Sequence, residues 1–149
     1  MSFTALGLMP ELVRAVADEG YDHPTPIQLE PIPLALAGRD LIGSAQTGTG
    51  KTAAFVLPIL QRLQPGTRGV LRALILVPTR ELAEQVVTSI RAYGRHTHLK
   101  GAAVYGGVGM EPQTRALKHG ADIVVATPGR LLDHMERGHV NFSKLEVLV

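Results

Sequence analysis

The stretch Ala45-Gln46-Thr47-Gly48-Thr49-Gly50-Lys51-Thr52 has the composition and spacing of a loop that holds a triphosphate. It follows the apolar pair Leu41-Ile42 and precedes a helix-forming run that begins at Ala53. In such a strand–loop–helix, backbone N–H groups and the helix N-terminus face the phosphate oxygens. Lys51 is then expected to reach the β- and γ-phosphates and act in catalysis, and the Thr52 hydroxyl to ligate Mg²⁺. The predicted nucleotide-binding residues of this loop are Ala45, Gln46, Thr47, Gly48, Thr49, Gly50, Lys51, Thr52 and Ala53.

Two other interpretations of this loop fit part of its sequence. The general motif has glycine where this chain has Ala45, so a chance Gly/Thr-rich turn is one alternative. The run from Gly48 to Ala53 also fits a dinucleotide fingerprint, which requires an acidic residue about 20 positions later. No Asp or Glu occurs between Asp40 and Glu81, so the dinucleotide interpretation fails.

Length and composition indicate one soluble globular domain. The 149 residues are 45% hydrophobic and 19% charged, and the formal net charge is only +2. The absence of cysteine excludes disulfides, thiolate metal sites and a cysteine nucleophile. We find no leader peptide and no apolar run of about 20 residues, so the expected compartment is the cytoplasm, with no membrane partner.

Strand-like and helical runs alternate along the chain, which predicts an α/β fold with a mostly parallel sheet and helices on both faces. Two helical runs are expected before the loop, from Pro10 to Gly20 and from Ile27 to Ala37. The expected strands are Asp40–Ile42, Ala73–Val77, Ala102–Tyr105, Ile123–Ala126 and Glu146–Val149. The later helical runs are Lys51–Leu63, Glu81–Tyr93, Pro112–His119 and Arg130–Arg137, and Gln64 to Gly69 is expected to be a surface loop.

Several segments resemble, in order and spacing, the motifs of DEAD-box RNA helicases, and most closely those of bacterial members. Gly20 to Gln28 looks like the Q motif, with an isolated aromatic, Phe3, seventeen residues before it. The loop Ala45–Thr52 has the family's own form, including its alanine. The further motifs are Pro78-Thr79-Arg80-Glu81-Leu82-Ala83, the pair Gly106-Gly107, and Thr127-Pro128-Gly129-Arg130.

The resemblance implies the amino-terminal part of a RecA-like P-loop NTPase domain, truncated before the strand end that carries Asp-Glu-Ala-Asp. Residues 1–37 would form the Q-motif region with its helices, and residues 38–149 the P-loop α/β core. The implied function is ATP-dependent unwinding or remodelling of RNA, with ATP, its product ADP and Mg²⁺ as ligands. The implied partners are single-stranded or duplex RNA and a second RecA-like domain.

The Q-motif residues are expected to select adenine. The Gln28 amide can both accept from and donate to the adenine N6/N7 edge, a pairing that guanine would reverse. Phe3 can stack on the base, and by the resemblance Tyr21 and Pro26 line the same site. A helix-surface role is the alternative for Gln28, and anchoring of the first helix is the alternative for Phe3. Packing is the preferred role for Tyr21.

Arginine, threonine and glycine follow the expected strands, and this is a set that binds phosphodiesters without reading bases. Arg80 and Arg130 should emerge at the strand ends, with Thr79 and Thr127 beside them. A nucleic-acid strand could approach the main chain closely at Gly106, Gly107 and Gly109. By the resemblance, the residues that hold RNA are Pro78, Thr79, Arg80, Gly106, Gly107, Thr127, Pro128, Gly129 and Arg130. A salt bridge with Glu84 is an alternative role for Arg80.

Two other clusters are given simpler interpretations. His96 and His98 have no third ligand nearby, so a metal site is not expected there. Glu81 and Glu84 lie in the first turn of a helix, where they are expected to interact with its positive end.

The sequence ends at Val149, where the family places its Mg²⁺-binding and water-orienting acids. The 149-residue chain is therefore expected to bind adenine nucleotide but barely hydrolyse it. An unpaired sheet edge would also favour self-association. The sequence is also compatible with two rival functions, namely a non-enzymatic P-loop binding module and a DNA-directed helicase of the same superfamily.

Overall fold

The computed structural model describes residues 2–45 and 50–149, and it divides the chain into two compact units. Unit 1 consists of Met1–Gln64 and Ala92–His98. Unit 2 consists of Pro65–Arg91 and Leu99–Val149. The predicted phosphate loop belongs to the first unit, and the predicted RNA-contacting segments belong to the second. Gln46, Thr47, Gly48 and Thr49 lie outside the described residues.

Unit 1 is helical. After a 3₁₀ turn at Thr4–Leu6, the helices are α1 (Pro10–Asp18), α2 (Pro26–Leu29), α3 (Pro31–Leu36) and α4 (Lys51–Arg62). Proline occupies the first turn of α1, α2 and α3, where its missing N–H costs nothing. Helices α2 and α3 pack against α4.

The expected helical run from Ile27 to Ala37 is confirmed in type, but the structure divides it into two helices, α2 and α3, at Glu30. Pro31 follows this residue and begins the next helix. Because its nitrogen carries no N–H, Pro31 cannot donate the backbone hydrogen bond that would continue α2, although Glu30 itself keeps a helical φ of −89° and ψ of −50°.

The expected strand Asp40–Ile42 is also wrong. The structure assigns no strand to these residues, and the side chain of Ile42 is fully exposed. A strand is defined by the hydrogen bonds to its neighbour, and an apolar pair such as Leu41-Ile42 does not show from sequence whether a neighbour is present. The helix expected after the phosphate loop is confirmed, since α4 begins at Lys51.

Unit 2 contains a four-stranded parallel sheet with β1 (Ala73–Leu76), β2 (Gly101–Val104), β3 (Ile123–Ala126) and β4 (Val147–Leu148) in the order β2-β3-β1-β4. Three helices connect them: α5 (Arg80–Tyr93), α6 (Glu111–His119) and α7 (Pro128–Glu136). Right-handed crossovers in this order place α6 and α7 on one face and α5 on the other. The α/β class with a parallel sheet is confirmed.

One face of the sheet carries a continuous hydrophobic core. Leu74, Val104, Val124 and Ala126 project from the strands, and Leu117 of α6 and Leu131 of α7 close over them together with Leu71 and Ala121. The two inner strands are buried along almost their whole length. This burial on both faces explains why the sequences of the two inner strands are apolar almost throughout.

Two buried charged side chains fix the loop that leads into β1. The Asp122 carboxylate accepts hydrogen bonds from the Gly69 N–H at 2.8 Å and the Lys100 N–H at 2.9 Å. The Arg72 guanidinium donates to the Pro65 carbonyl at 2.6 Å and pairs with Glu146. The loop before β1 is thus fixed to the sheet by side chains as well as by the backbone.

No helix in residues 2–45 and 50–149 is long and apolar enough to cross a membrane.

Candidate nucleotide and nucleic-acid sites

The N-terminus of α4 carries the described part of the predicted phosphate loop. Gly50 is the N-cap residue and has a φ of 90°, a conformation that glycine adopts without strain. Lys51 begins the helix with an exposed side chain, Thr52 is half-buried, and Ala53 is buried. A positive helix end with an exposed lysine is suited to an anion such as a phosphate. Ala45 is half-buried at the other end of the loop.

Gln28 connects the turn that starts α2 to this helix end. Its Oε1 accepts from the Thr25 N–H at 2.9 Å as part of a capping box. Its Nε2 donates to the Gly50 carbonyl at 3.1 Å. The side chain is only 5% exposed, so the helix-surface alternative for Gln28 does not describe its position.

These contacts use half of the hydrogen-bonding capacity of the Gln28 amide. A carboxamide has two acceptor positions on its oxygen and two N–H donors. One further acceptor and one further donor are therefore compatible with the contacts to Thr25 and Gly50. That pair matches the N6 donor and N7 acceptor of adenine.

The remaining residues of the expected adenine site differ in exposure. Phe3 is 5% exposed, and this burial favours the alternative in which it anchors the first helix. Tyr21 is 54% exposed and Pro26 is also exposed. Burial, together with Tyr21 and Glu19, raises the pKa of Tyr93 to about 12, which keeps that phenol protonated at neutral pH.

Arg80 at the start of α5 is held against an aromatic ring. Its guanidinium carbon lies 5.3 Å from the ring centroid of Tyr105, a cation–π distance. The Tyr105 hydroxyl donates to Glu84 at 2.6 Å, and this hydrogen bond raises the pKa of the tyrosine. Glu84 thus engages Tyr105, which in turn supports Arg80. The arginine remains exposed, as a group that contacts a polyanion must be.

Arg130 in the first turn of α7 is held by hydrogen bonds. One of its Nη atoms donates to the Val108 carbonyl at 2.9 Å and to Gln113 Oε1 at 3.2 Å. Its Nε lies 3.8 Å from Asp133. The side chain is 12% exposed, so only a small part of Arg130 is open to solvent.

The small residues of the predicted RNA site lie at the surface of unit 2. Pro78, Thr79, Pro128, Gly129, Gly106 and Gly107 are exposed, and Thr127 is half-buried. The Thr79 hydroxyl accepts from the Leu82 N–H at 3.2 Å, which caps α5. Gly107 has a φ of 84°, and a Cβ there would lie 3.7 Å from Arg80.

A buried polar cluster beside this surface was not identified from the sequence. His134 is fully buried, and it contacts Gln113 Oε1 at 2.9 Å and His139 Nδ1 at 3.0 Å. Burial, His139 and Arg130 lower the pKa of His134, so it is neutral at pH 7. The spacing of Gln113 and Leu117, four residues apart on one side of α6, was a signal that Gln113 faces inward.

The two clusters with simpler interpretations belong to different units, His96 and His98 to unit 1 and Glu81 and Glu84 to α5 in unit 2. His96 contacts Asp18 in unit 1 at 2.7 Å, and this hydrogen bond lowers the pKa of the Asp18 carboxyl. No group of three His, Asp or Glu side chains in residues 2–45 and 50–149 is arranged to hold a metal. Glu81 lies in the first turn of α5 as expected, whereas Glu84 lies beyond that turn and accepts a hydrogen bond from Tyr105, so the prediction for Glu84 is wrong.

A family model for DEAD/DEAH box helicases matches residues 25–149. The chain is 50% identical to the ATP-dependent RNA helicase DeaD of Escherichia coli strain K12, covering 99% of this chain and 24% of that protein. It is 46% identical to DeaD of Mycobacterium tuberculosis strain H37Rv, covering 99% and 26%. The chain thus spans about a quarter of the length of these relatives.

Two solved structures have the same fold. The RNA helicase Prp28 from Chaetomium thermophilum, bound to ADP, superposes with a TM-score of 0.91 at 44% identity, covering 99% of this chain and 37% of that one. A Dbp5 variant from S. cerevisiae, bound to RNA and ADP BeF3, superposes with a TM-score of 0.88 at 33% identity and the same coverage. The RecA-like fold expected from the resemblance is confirmed.

Proposed function

This chain belongs to the DEAD/DEAH box helicase family, and from that premise we propose that it is the ATP-binding part of an enzyme that couples ATP hydrolysis to RNA unwinding or remodelling. The observation that carries the proposal is the Gln28 amide, which joins the capping box of α2 to the Gly50 carbonyl at the start of α4. The group that would read the base and the loop that would hold the phosphates are therefore in direct contact.

In the proposed site, the described residues divide the work of holding ATP. Gln28 would read the adenine edge, and Lys51 would bind the β- and γ-phosphates at the positive end of α4. Mg²⁺, when bound, would neutralise phosphate charge, and the Thr52 hydroxyl is the group of α4 that we assign to it. Gln46, Thr47, Gly48 and Thr49 are assigned to the same phosphate site from sequence alone.

The first prediction concerns base selectivity. In calorimetric titrations we expect the wild-type chain to bind ADP and to discriminate against GDP, because the Gln28 amide complements only adenine. Gln28→Ala should lose most of this discrimination, about 1–3 kcal/mol or roughly 10- to 100-fold.

Gln28→Glu is the matched control for that prediction. A carboxylate still accepts from the Thr25 N–H and preserves the capping box, but it cannot donate to the base or to the Gly50 carbonyl. Loss of preference in both variants supports base reading. Equal binding of ADP and GDP by the wild type would instead favour a P-loop module that does not read the base.

The second prediction concerns RNA. Arg80 and Arg130 are held at the surface of unit 2 by Tyr105 and by Gln113, and we propose that both contact RNA phosphates. We expect Arg80→Ala and Arg130→Ala each to weaken the binding of single-stranded RNA, whatever the RNA sequence. Each should also reduce the salt dependence of log K by about one unit.

Fluorescence anisotropy with a labelled oligouridine at several salt concentrations measures both quantities. Arg115→Ala is the control, because it removes the same charge from an exposed position on α6. An unchanged salt dependence in all three variants would contradict the proposal, and equal binding of single-stranded DNA would favour a DNA-directed enzyme.

The other features of the proposal rest on the family and on the sequence. We assign the chain to one partial RecA-like domain, with residues 1–37 as the Q-motif region and 38–149 as the P-loop core. A second RecA-like domain is the expected partner in catalysis, and the 149 residues alone should bind adenine nucleotide but turn it over slowly. We also predict self-association through the edge strand β4, where Leu148 is exposed. A cytoplasmic location is a further prediction.

A further inference from the structure

Gln113 lies at the centre of a buried set of hydrogen bonds that we call the Gln113 network: Gln113, His134, His139, Thr114 and Arg130. All of its members belong to unit 2, on α6, on α7 and in the segment just after α7. Gln113 itself is 6% exposed. A buried amide needs partners for both of its ends, and their identity fixes its orientation.

The amide orientation follows from its three contacts. Gln113 Nε2 donates to the Tyr105 carbonyl at 2.9 Å, so its Oε1 faces the other way and serves as an acceptor. That oxygen receives one hydrogen bond from Arg130 at 3.2 Å and one from His134 Nε2 at 2.9 Å. Both acceptor positions of the oxygen are then used.

The protons of the two histidines follow from this orientation. His134 must carry its proton on Nε2 to donate to Gln113, and since the ring is neutral its Nδ1 is an acceptor. His139 therefore carries a proton on Nδ1, which points at His134 Nδ1 at 3.0 Å and at the Thr114 hydroxyl at 3.2 Å. Thr114 in turn donates to the Met110 carbonyl at 3.1 Å.

The Gln113 amide is connected to both arginines, to Arg130 directly and to Arg80 through Tyr105. Through Oε1 it holds Arg130 directly, and through Nε2 it holds the backbone of Tyr105, whose ring lies under Arg80. We propose that Gln113, oriented by His134, is a positioning residue that sets the geometry of the RNA-contacting arginines without touching RNA. This inference rests on the proposed RNA contact of Arg130.

The test compares RNA affinity among variants of the 149-residue chain, with a labelled oligouridine of about 12 nucleotides as the probe. Gln113→Met keeps the size of the side chain and removes its hydrogen bonds, and we expect about tenfold weaker binding. His134→Phe should weaken binding in the same direction. His134→Gln should restore much of the affinity, because its amide N–H can replace the Nε2 donor.

A double-mutant cycle separates positioning from general stability. In the Arg130→Ala background, Gln113→Met should cause much less further loss, because the group that it positions is gone. Leu117→Ala is the control on the same helix, since it creates a cavity in the core without touching the network, and it should bind RNA like the wild type while folded. Wild-type affinity of Gln113→Met, or an undiminished loss in the Arg130→Ala background, would overturn the inference.

A second measurement distinguishes failure of the inference from failure of the proposed function. In proton–nitrogen correlation spectra, a guanidinium held by Val108 and Gln113 should give a distinct Arg130 signal, and Gln113→Met should shift or broaden it. If that signal changes but Arg130→Ala binds RNA normally, the positioning holds and the proposed RNA contact is wrong. If the signal is unchanged, Gln113 does not position Arg130.

Discussion

Gly50→Ala is expected to reduce ADP affinity at least about 100-fold and to abolish the preference for ADP over GDP. A Cβ at this position would lie 2.3 Å from Gln28 Nε2 and 3.0 Å from the Thr25 hydroxyl oxygen. Gln28 would have to leave the Gly50 carbonyl, and the orientation of the amide that we propose reads the base would be lost with it. The φ of 90° adds a conformational cost of about 1–2 kcal/mol for any residue with a Cβ.

Gly38→Ala is the matched control for this substitution. Gly38 lies in the same unit with a φ of 83°, and a Cβ there would meet only the end of Arg62 at an ordinary 3.7 Å. Both variants should pay the same conformational cost for a positive φ, and Gly50→Ala should lose further stability from the displaced Gln28 side chain. Only Gly50→Ala should lose ADP binding in calorimetry. If the two variants bound ADP equally well, the contact between Gln28 and Gly50 would not be important for the site.

Asp122→Ala is expected to destabilise unit 2 by about 3–5 kcal/mol, since two hydrogen bonds to a charged acceptor are lost and each is worth about 1.5–3 kcal/mol. The carboxylate is 1% exposed and bonds the N–H groups of Gly69 and Lys100, which lie in different segments of the unit. Asp122→Asn should cost about half as much, because its amide keeps one oxygen acceptor.

Urea unfolding followed by circular dichroism measures this loss. Glu111→Ala is the control, because its carboxylate is 86% exposed in an i,i+4 pair with Arg115, and its removal should change stability by less than about 0.5 kcal/mol. A loss below about 1 kcal/mol for Asp122→Ala would show that water satisfies both amides as well as the carboxylate does.

The helices and the inner strands were predicted well from the sequence, because a helix with one buried face leaves a helical period and a strand buried on both faces leaves a continuous apolar run. The apolar run at Ala73–Val77 and the helix after the phosphate loop are examples. The expected strand Asp40–Ile42 failed because strand formation depends on a neighbour, which a short apolar run cannot show. The helical run from Ile27 to Ala37 was correct in type, but its division before Pro31 was not predicted.

The candidate site shows the same division between local pattern and distant contact. Gln28, Arg80 and Arg130 were predicted as site residues because each belongs to a short motif whose chemistry is evident from neighbouring residues. The residues that hold them could not be identified in this way. Tyr105 is 25 residues from Arg80, and Gln113 is 17 residues from Arg130, so only the fold brings each pair together.

The loop from Pro65 to Gly69 has the composition of a loose linker, but the contacts at the entrance to β1 give it a different dynamic character. Arg72 holds the Pro65 carbonyl and Asp122 holds the Gly69 amide, so the loop opens only when buried charges lose their partners. The Gly69 amide hydrogen should therefore exchange with deuterium as slowly as those of the neighbouring sheet, and proteases should cut the loop only after these contacts break.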